Sequence, residues 1–431
     1  MNKKKVLIAG CGLAGLSTAW HLKKRGIKPY LFEKERDIGG LCRSKNMSGF
    51  TFDYDGHLLH FRHNYALDLV RGILGDNLVE HKRNAWVYSH HRYTRYPFQA
   101  NLYGLPADVI KECLLGYIDA TKNNKKSASA DNFLEWININ FGPGIAKHFM
   151  VPYNNKFWTV PPEELTCEWL DDFIPLPSLN QVLEGTVEES RRQLGYNSRF
   201  WYPRVGGIDV LVKGLAGDLD NVFPGDGIDN INLLKKEVRT TSGRKEKFDI
   251  LVSTIPLPEL PDLISGLPKE MKRVFEKLRW NSIFNLNLGI DRSDSLGRHW
   301  IYFPDKDACF FRVGFFNNFS PYLTPAGKSS LYVEVSYPAD KSLNKNHIID
   351  QIMRDLKKVG ILNEYDKVCV QDKNDLKYGY PLYDKHYSHA RKEILKYLSR
   401  NNIVTCGRYG SWRYMSMEDV IMNGRDVAAS I

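Results

Sequence analysis

Lys5-Val-Leu-Ile-Ala9 followed by Gly10-Cys-Gly12-Leu-Ala-Gly15 decides the fold. The apolar run ends at a glycine, as a buried parallel strand does. An amphipathic helix is expected from there to about Arg25, with Gly26 set to end it. A second strand, 29–32, closes on Glu33. A lone GxGxxG also occurs in unrelated glycine-rich turns. Here strand, glycines, helix, strand and acid stand in the order that a dinucleotide-binding turn requires. Gly10 permits the tight turn. Gly12 lets backbone N–H groups approach a pyrophosphate at the positive end of the helix, and Gly15 lets helix and strand pack closely. Glu33 is positioned to accept from ribose hydroxyls.

Gly39-Gly40-Leu-Cys-Arg43-Ser44 comes next. A glycine doublet and an arginine at this point resemble the large flavoprotein group of amine oxidases, protoporphyrinogen oxidases, phytoene desaturases and sugar-nucleotide mutases. The resemblance implies FAD, rather than NAD, as the dinucleotide, with Arg43 offering positive charge to its pyrophosphate. Phe248-Asp-Ile-Leu-Val-Ser-Thr-Ile-Pro256 reads as a strand returning to the same sheet, and Ile403-Val-Thr-Cys-Gly407-Arg408 as another. No second GxGxxG occurs, so a separate nicotinamide domain is not expected.

Between these strands, 105–118 and 132–139 have apolar residues near helical spacing, and Pro106 suits a first turn. The segments 300–313 and 329–337 read as strands. The segment 123–130 is the best candidate for a mobile loop. The expected architecture is α/β: a Rossmann-like FAD-binding domain with a helical insertion and an antiparallel β-sheet substrate domain. Residues 1–95, 203–262 and 398–431 are assigned to the first, 96–200 to the helical part and 263–397 to the antiparallel sheet.

A more specific resemblance lies in the middle of the chain. Tyr96-Pro-Phe98-Gln99-Ala-Asn-Leu, Asn132-Phe-Leu-Glu-Trp136 and Phe149-Met-Val-Pro-Tyr153-Asn154-Asn-Lys-Phe-Trp158-Thr-Val-Pro161 resemble the UDP-galactopyranose mutase family, in its eukaryotic-type branch. Trp300-Ile-Tyr302-Phe-Pro304, Phe311-Arg312, Gly379-Tyr380-Pro381 and Gly407-Arg408-Tyr-Gly-Ser-Trp-Arg-Tyr414 agree and follow in family order. The resemblance implies a redox-neutral interconversion of pyranose and furanose forms of a nucleoside-diphosphate sugar, by default UDP-galactose. It implies FAD active as reduced FADH−, a flavin N5–sugar adduct, and an external reductant such as NAD(P)H. Arg312, Tyr302, Tyr380 and Tyr414 match phosphate-contacting positions of that family. Tyr96, Phe98 and Gln99 match the nucleotide side, Phe149, Asn154 and Trp158 other pocket positions, and Arg408 a position near the flavin. Read alone, Phe149, Trp158 and Tyr302 are ordinary core aromatics. Arg312 is harder to dismiss, because a cation among Phe310, Phe311, Val313 and Phe315 needs a partner if buried. That partner is an anionic ligand or a carboxylate elsewhere in the chain.

Phe52-Asp-Tyr-Asp-Gly56-His57-Leu-Leu-His60 matches the family's Gly-Gly-His segment, with Asp55 in place of the first glycine. His57 is the candidate to adjust flavin nitrogen 5 or to shuttle a proton. His57, His60 and His63 as a metal cluster is rejected, because no carboxylate or Cys set completes a motif. The catalytic candidates are therefore His57, Arg312 and Arg408. The cofactor-binding set is Gly10, Gly12, Gly15, Glu33, Gly39, Gly40, Arg43, Gly56 and Gly407. The chain departs from the family at two places. Phe173 stands where a second phosphate-binding Arg is usual, with Arg191, Arg192 and Arg199 as candidate substitutes, and 415–421 is shorter than the eukaryotic-type pattern. Two rival functions are an FAD-dependent oxidase or desaturase of the amine oxidase or protoporphyrinogen oxidase type, and a flavin-binding homologue without catalysis.

Composition sets the outer limits. Of 431 residues, 43% are hydrophobic, enough for a sizeable core, and an aromatic content of 12% excludes a disordered chain. A net charge of +10 favours anionic ligands, but the basic residues are dispersed and match no nucleic-acid-binding signature. No apolar run reaches transmembrane length, and 6–16 is too short and too glycine-punctuated for a secretory signal. Seven scattered cysteines without a CxxC point to reduced thiols. The expected partner is a nucleotide sugar, with no nucleic acid and no membrane insertion, in the cytoplasm.

Overall fold

Val6–Ala9 is a strand whose four side chains are all at most 1% exposed, so it runs through the middle of a sheet covered on both faces. The computed structural model describes residues 4–123, 130–170, 173–189, 194–195, 197–294 and 296–431. Of the loop expected over 123–130, residues 124–129 lie outside the described residues, as do Arg191 and Arg192. The sheet has five parallel strands in the order Ile403–Thr405, Ile250–Ser253, Val6–Ala9, Tyr30–Glu33 and Val222–Pro224. Leu7 lies between Leu251 and Tyr30 in register. Helix Leu13–Lys24 follows the first strand and ends as expected, with Gly26 at φ 75° and its N–H bonded to the Lys23 carbonyl. Helix Met417–Ser430 packs on Leu13–Lys24, joining distant parts of the sequence.

The second large sheet has seven strands: Val368–Pro381, Trp280–Ile290, Ser329–Pro338, Arg312–Phe315, Trp300–Tyr302, Ala85–Ser89 and Arg92–Arg95, in that spatial order. Neighbours are antiparallel except Trp300–Tyr302 with Ala85–Ser89, which run parallel. The segment 300–313, expected as one strand, is two antiparallel strands joined by a turn. Pro304, Asp305 and Asp307 explain the break, being poor in a sheet and common in turns. Two strands from the 1–95 segment, Ala85–Ser89 and Arg92–Arg95, belong to this sheet, so the two sheets interleave along the chain.

Helix Ala107–Asn123 begins after Pro106, whose carbonyl accepts from the Ile110 N–H. Helix Phe133–Ile145 is capped by the Asn132 side chain and kinks at Gly142 and Pro143. A wide turn, Ala146–Met150, leads into Val151–Trp158. Leu179–Val187 completes the helical part. The wide turn and the helix after it carry Phe149, Asn154 and Trp158. Phe133, Phe141 and Trp158 fill the core beneath. Among the described residues no helix is long and apolar enough to cross a membrane.

Candidate active site

A cavity of about 820 Å³ begins at the glycine loop and runs between the two sheets. Gly15 is not on its wall. A Cβ there would lie 2.0 Å from the Gly10 carbonyl oxygen, so this glycine serves the close contact of helix and strand. Gly10 and Gly12 do line the cavity. A Cβ on Gly12 would meet the backbone of Gly40, from 3.7 Å, and of Gly39 at 4.0 Å, all at ordinary contact distance, and no side chain caps the helix. First-turn N–H groups are thus left for a ligand, which is how a helix start receives a phosphate. Gly39, Gly40 and Arg43 form the adjacent wall. The Arg43 Nε–H donates to the Gly40 carbonyl at 2.7 Å, and its guanidinium lies over the Tyr54 ring. The Glu33 carboxylate accepts from the Cys11 N–H at 2.7 Å and the Glu35 N–H at 3.0 Å, and it also lines the cavity. With two backbone bonds made, it retains acceptor capacity for a ligand hydroxyl. These residues fit a dinucleotide such as FAD.

Gly56, His57 and Gly407 lie further along the same cavity. The room beside Gly56 is taken by the Tyr332 hydroxyl, 2.2 Å from where a Cβ would stand. His57 Nδ1 is 3.2 Å from the Asp55 carbonyl oxygen, which assigns the ring proton to Nδ1. Burial lowers the His57 pKa, so the imidazole is neutral at neutral pH with Nε2 as an acceptor. His60, pushed down to about 4 by burial, bonds the Arg199 carbonyl, and His63 pairs with Glu418. Among the described residues no group of three or more His, Cys, Asp or Glu could hold a metal ion. All seven cysteines are free thiols.

The partner that Arg312 requires is a carboxylate as well as open cavity. Glu334 faces it across neighbouring strands and is 0% exposed. Arg312 Nη2–H donates to Glu334 Oε1 at 2.7 Å and Nε–H donates to the other carboxylate oxygen, with Asp55 at 4.0 Å. Burial pushes the Glu334 carboxyl up against the pull of Arg312, and Asp55 adds to the rise. Arg408 differs. It donates to the Gly379 carbonyl at 2.8 Å and lies 4.4 Å from the Tyr380 ring centroid and 5.1 Å from that of Tyr414. Among the described residues no carboxylate pairs with it, and its Nε is buried without a partner. Burial raises the Tyr380 and Tyr302 phenols, so both stay protonated as donors.

A second hollow of about 170 Å³ opens beside Tyr302, Tyr380 and Tyr414, which line both cavities. It gathers Tyr96, Gln99, Phe149, Asn154, Trp158 and Phe173. Phe98 lines neither cavity. It is 0% exposed and stacks behind Phe149, with centroids 4.9 Å apart. Asn154 bonds within its own helical segment, to the Met150 carbonyl and Trp158 Nε1. Gln99 donates to the Pro175 carbonyl and leaves Oε1 buried without a partner. Phe173 packs edge-on against Tyr414. Arg199, a candidate to replace the missing cation, is exposed and pairs with Glu80. Glu334, Tyr332, Tyr153 and Phe157 also line or support the site and were not assigned a role from the sequence, and Asp55, noted there only as a departure from the family pattern, joins them. For Glu334 a signal existed: a lone carboxylate in 329–337 (SSLYVEVSY) is the natural cross-strand match for a lone arginine in 310–316 (FFRVGFF).

A family model described as flavin containing amine oxidoreductase matches residues 13–431. A crystal structure of reduced UDP-galactopyranose mutase superposes with a TM-score of 0.93 at 27% identity, covering 99% of this chain and 93% of that chain. A 4,4'-diapophytoene desaturase (4,4'-diapolycopene-forming) of Methylomonas sp is 46% identical over 52 residues, 12% of this chain and 10% of that protein. Protoporphyrinogen oxidase 2 of Arabidopsis thaliana is 22% identical over 215 residues, 46% of this chain and 42% of that protein. The chain therefore matches less than half the length of either of these two curated relatives.

Proposed function

The chain belongs to the flavin-containing amine oxidoreductase family, and on that premise we propose that it is a flavin-dependent nucleotide-sugar mutase. It interconverts the pyranose and furanose forms of a nucleoside-diphosphate sugar, UDP-galactose by default. The observation that carries this reading is Arg408, a cation with no carboxylate partner among the described residues, ringed by Tyr380, Tyr409 and Tyr414 on the cavity wall. A guanidinium and phenols converging on one point form a receptor for a diphosphate. Full-length similarity to a UDP-galactopyranose mutase supports the same conclusion.

Gly10, Gly12, Glu33, Gly39, Gly40 and Arg43 would hold FAD. When bound and kept reduced by an external reductant such as NAD(P)H, the flavin would supply the nucleophile for the anomeric carbon. Arg408 and Arg312 then hold and neutralise the diphosphate as it departs and returns, and Tyr302, Tyr380 and Tyr414 donate hydrogen bonds to it. Glu334 accepts from two Arg312 N–H groups and so holds the guanidinium in place on the cavity wall. Neutral His57 accepts or relays a proton at Nε2. The aromatic hollow around Phe149 and Trp158 receives the base. A soluble nucleotide sugar as substrate fits a cytoplasmic setting.

The test is anaerobic incubation of dithionite-reduced protein with a panel of nucleotide sugars, read by NMR. Furanose product without net oxidation is expected. A second reading, an oxidase or desaturase, draws on the similarity to a diapophytoene desaturase. Stoichiometric oxygen consumption with an organic substrate and no furanose would establish it in place of the mutase.

A further inference from the structure

Helix Val151–Trp158 carries Tyr153 and Phe157 to the wall where the two cavities meet, while Lys156 turns away from both. The Lys156 ammonium donates to four main-chain carbonyls: Phe303 at 2.7 Å, Asp305 at 2.5 Å, Ala308 at 2.8 Å and Phe310 at 3.2 Å. An ammonium has three N–H groups, so four oxygens at these distances enclose it as they would a bare monovalent cation. All four belong to the turn between strands Trp300–Tyr302 and Arg312–Phe315, which present Tyr302 and Arg312 to the cavity.

Ring contacts also join this helix to Tyr302 and to Phe311 at the end of the turn. Tyr153 meets Tyr302 at 5.5 Å and Phe311 at 6.5 Å, and Phe157 meets Phe311 at 5.2 Å. Ring contacts tolerate sliding, whereas a carbonyl cage sets one position. The turn is itself fixed from the far side. The His90 N–H donates to Asp305, the Cys309 N–H donates to Asp355, and Lys358 pairs with Asp307. The helix remains rooted in the core by Trp158, at 1% exposure, without Lys156.

We propose that Lys156 is a positioning residue: its caged ammonium locks the aromatic wall of Tyr153 and Phe157 against Tyr302 and Arg312, so that the diphosphate pocket is formed before ligand arrives. The identity of the ligand rests on the mutase reading; the lock itself does not.

Two variants test it in the flavin-loaded protein, with UDP as probe and calorimetry as readout. Lys156→Met should weaken UDP binding by about tenfold, since small misplacements of such groups are costly. Flavin content and the flavin absorbance spectrum should not change. Lys156→Ala should show the same loss and recover affinity when propylammonium, which fills the vacated cage, is added. The wild type should not respond to propylammonium. Amide exchange over 151–158 should quicken in both variants and slow again in Lys156→Ala with propylammonium. Wild-type UDP affinity in Lys156→Met, or no recovery in Lys156→Ala, overturns the proposal. Loss of flavin and solubility in both variants also overturns it, marking Lys156 as part of the fold. If wild-type protein does not bind UDP, the mutase reading fails and the exchange data decide. Propylammonium-reversible exchange upholds the lock and unchanged exchange removes it.

Discussion

Arg312 and Arg408 have the same charge and different surroundings, and truncation should separate them. Arg408 has no carboxylate to compensate it among the described residues, so Arg408→Ala should cost ligand affinity above all, about 1.5–3 kcal/mol for a charged hydrogen bond, measured as the dissociation constant for UDP. Arg312 shares its fork with Glu334. Arg312→Lys keeps the charge but loses the planar two-donor geometry, so turnover should fall while flavin content stays near normal. Arg312→Ala should cost more, about 2–4 kcal/mol of transition-state stabilisation, read as furanose formation by NMR. Loss of flavin in that variant would make the residue a support of the fold instead. Gly12→Asp should abolish flavin retention. The space beside Gly12 opens onto the cavity, and a carboxylate there repels a pyrophosphate. Normal flavin absorbance in the purified variant would contradict this. That Arg312 needed a partner could be read from its apolar flanks. The sequence could offer Glu334 as a cross-strand match, but it lies 22 residues on and only the strand register brings the two together. Phe98 shows the opposite limit. Its motif puts it in the right neighbourhood, but the direction of its ring depends on Phe149, with which it stacks.

At the scale of single elements, the hairpin Ser44–Met47 and Phe50–Asp53 ends in a buried acid that ties three elements together. Asp53 accepts from the Ser44 and Tyr202 hydroxyls and from the Ile208 N–H. Burial pushes its carboxyl up to about 7, against the pull of those bonds. The folded value lies above the ordinary one of 3.8, so the folded chain holds this proton between the two. The group's contribution to stability is present below about 3.8 and is lost as pH rises through about 7. Asp53→Asn should flatten the fall in thermal midpoint across that window, measured by thermal denaturation at several pH values. A second element-scale expectation concerns the crossing of helices Ala107–Asn123 and Phe133–Ile145. A Cβ on Gly144 would lie 2.2 Å from the Glu112 carbonyl oxygen. Gly144→Ala should force the helices apart and cost about 1–3 kcal/mol, seen as a lower thermal midpoint with the flavin loops intact. Both helices were visible in the spacing of their apolar residues. Their extension beyond 118 and 139 was not, because the later turns are held by packing against each other.

For the whole molecule, the order of motifs along the chain was the most legible feature. Glycine loop, returning strand at 250–253 and final strand at 403–405 all join one parallel sheet. The interleaving was less legible, because 85–95 carries the same alternating pattern whichever sheet it joins. A parallel sheet with strands from such distant segments should lose cooperativity if one is removed. Deleting residues 401–431 takes away both the edge strand Ile403–Thr405 and the helix that covers Leu13–Lys24. The shortened protein should be recovered without flavin and largely insoluble, as judged by absorbance and by soluble yield. The same connectivity fixes a timetable for synthesis on the ribosome. The glycine loop is made almost first, yet Ile250–Ser253 keeps an open edge until Ile403–Thr405 has been translated. The helical part and most of the seven-stranded sheet are complete well before then. Nascent chains arrested before residue 403 should therefore not yet hold flavin, and the cofactor is taken up late in biosynthesis by a molecule whose substrate pocket is already largely built.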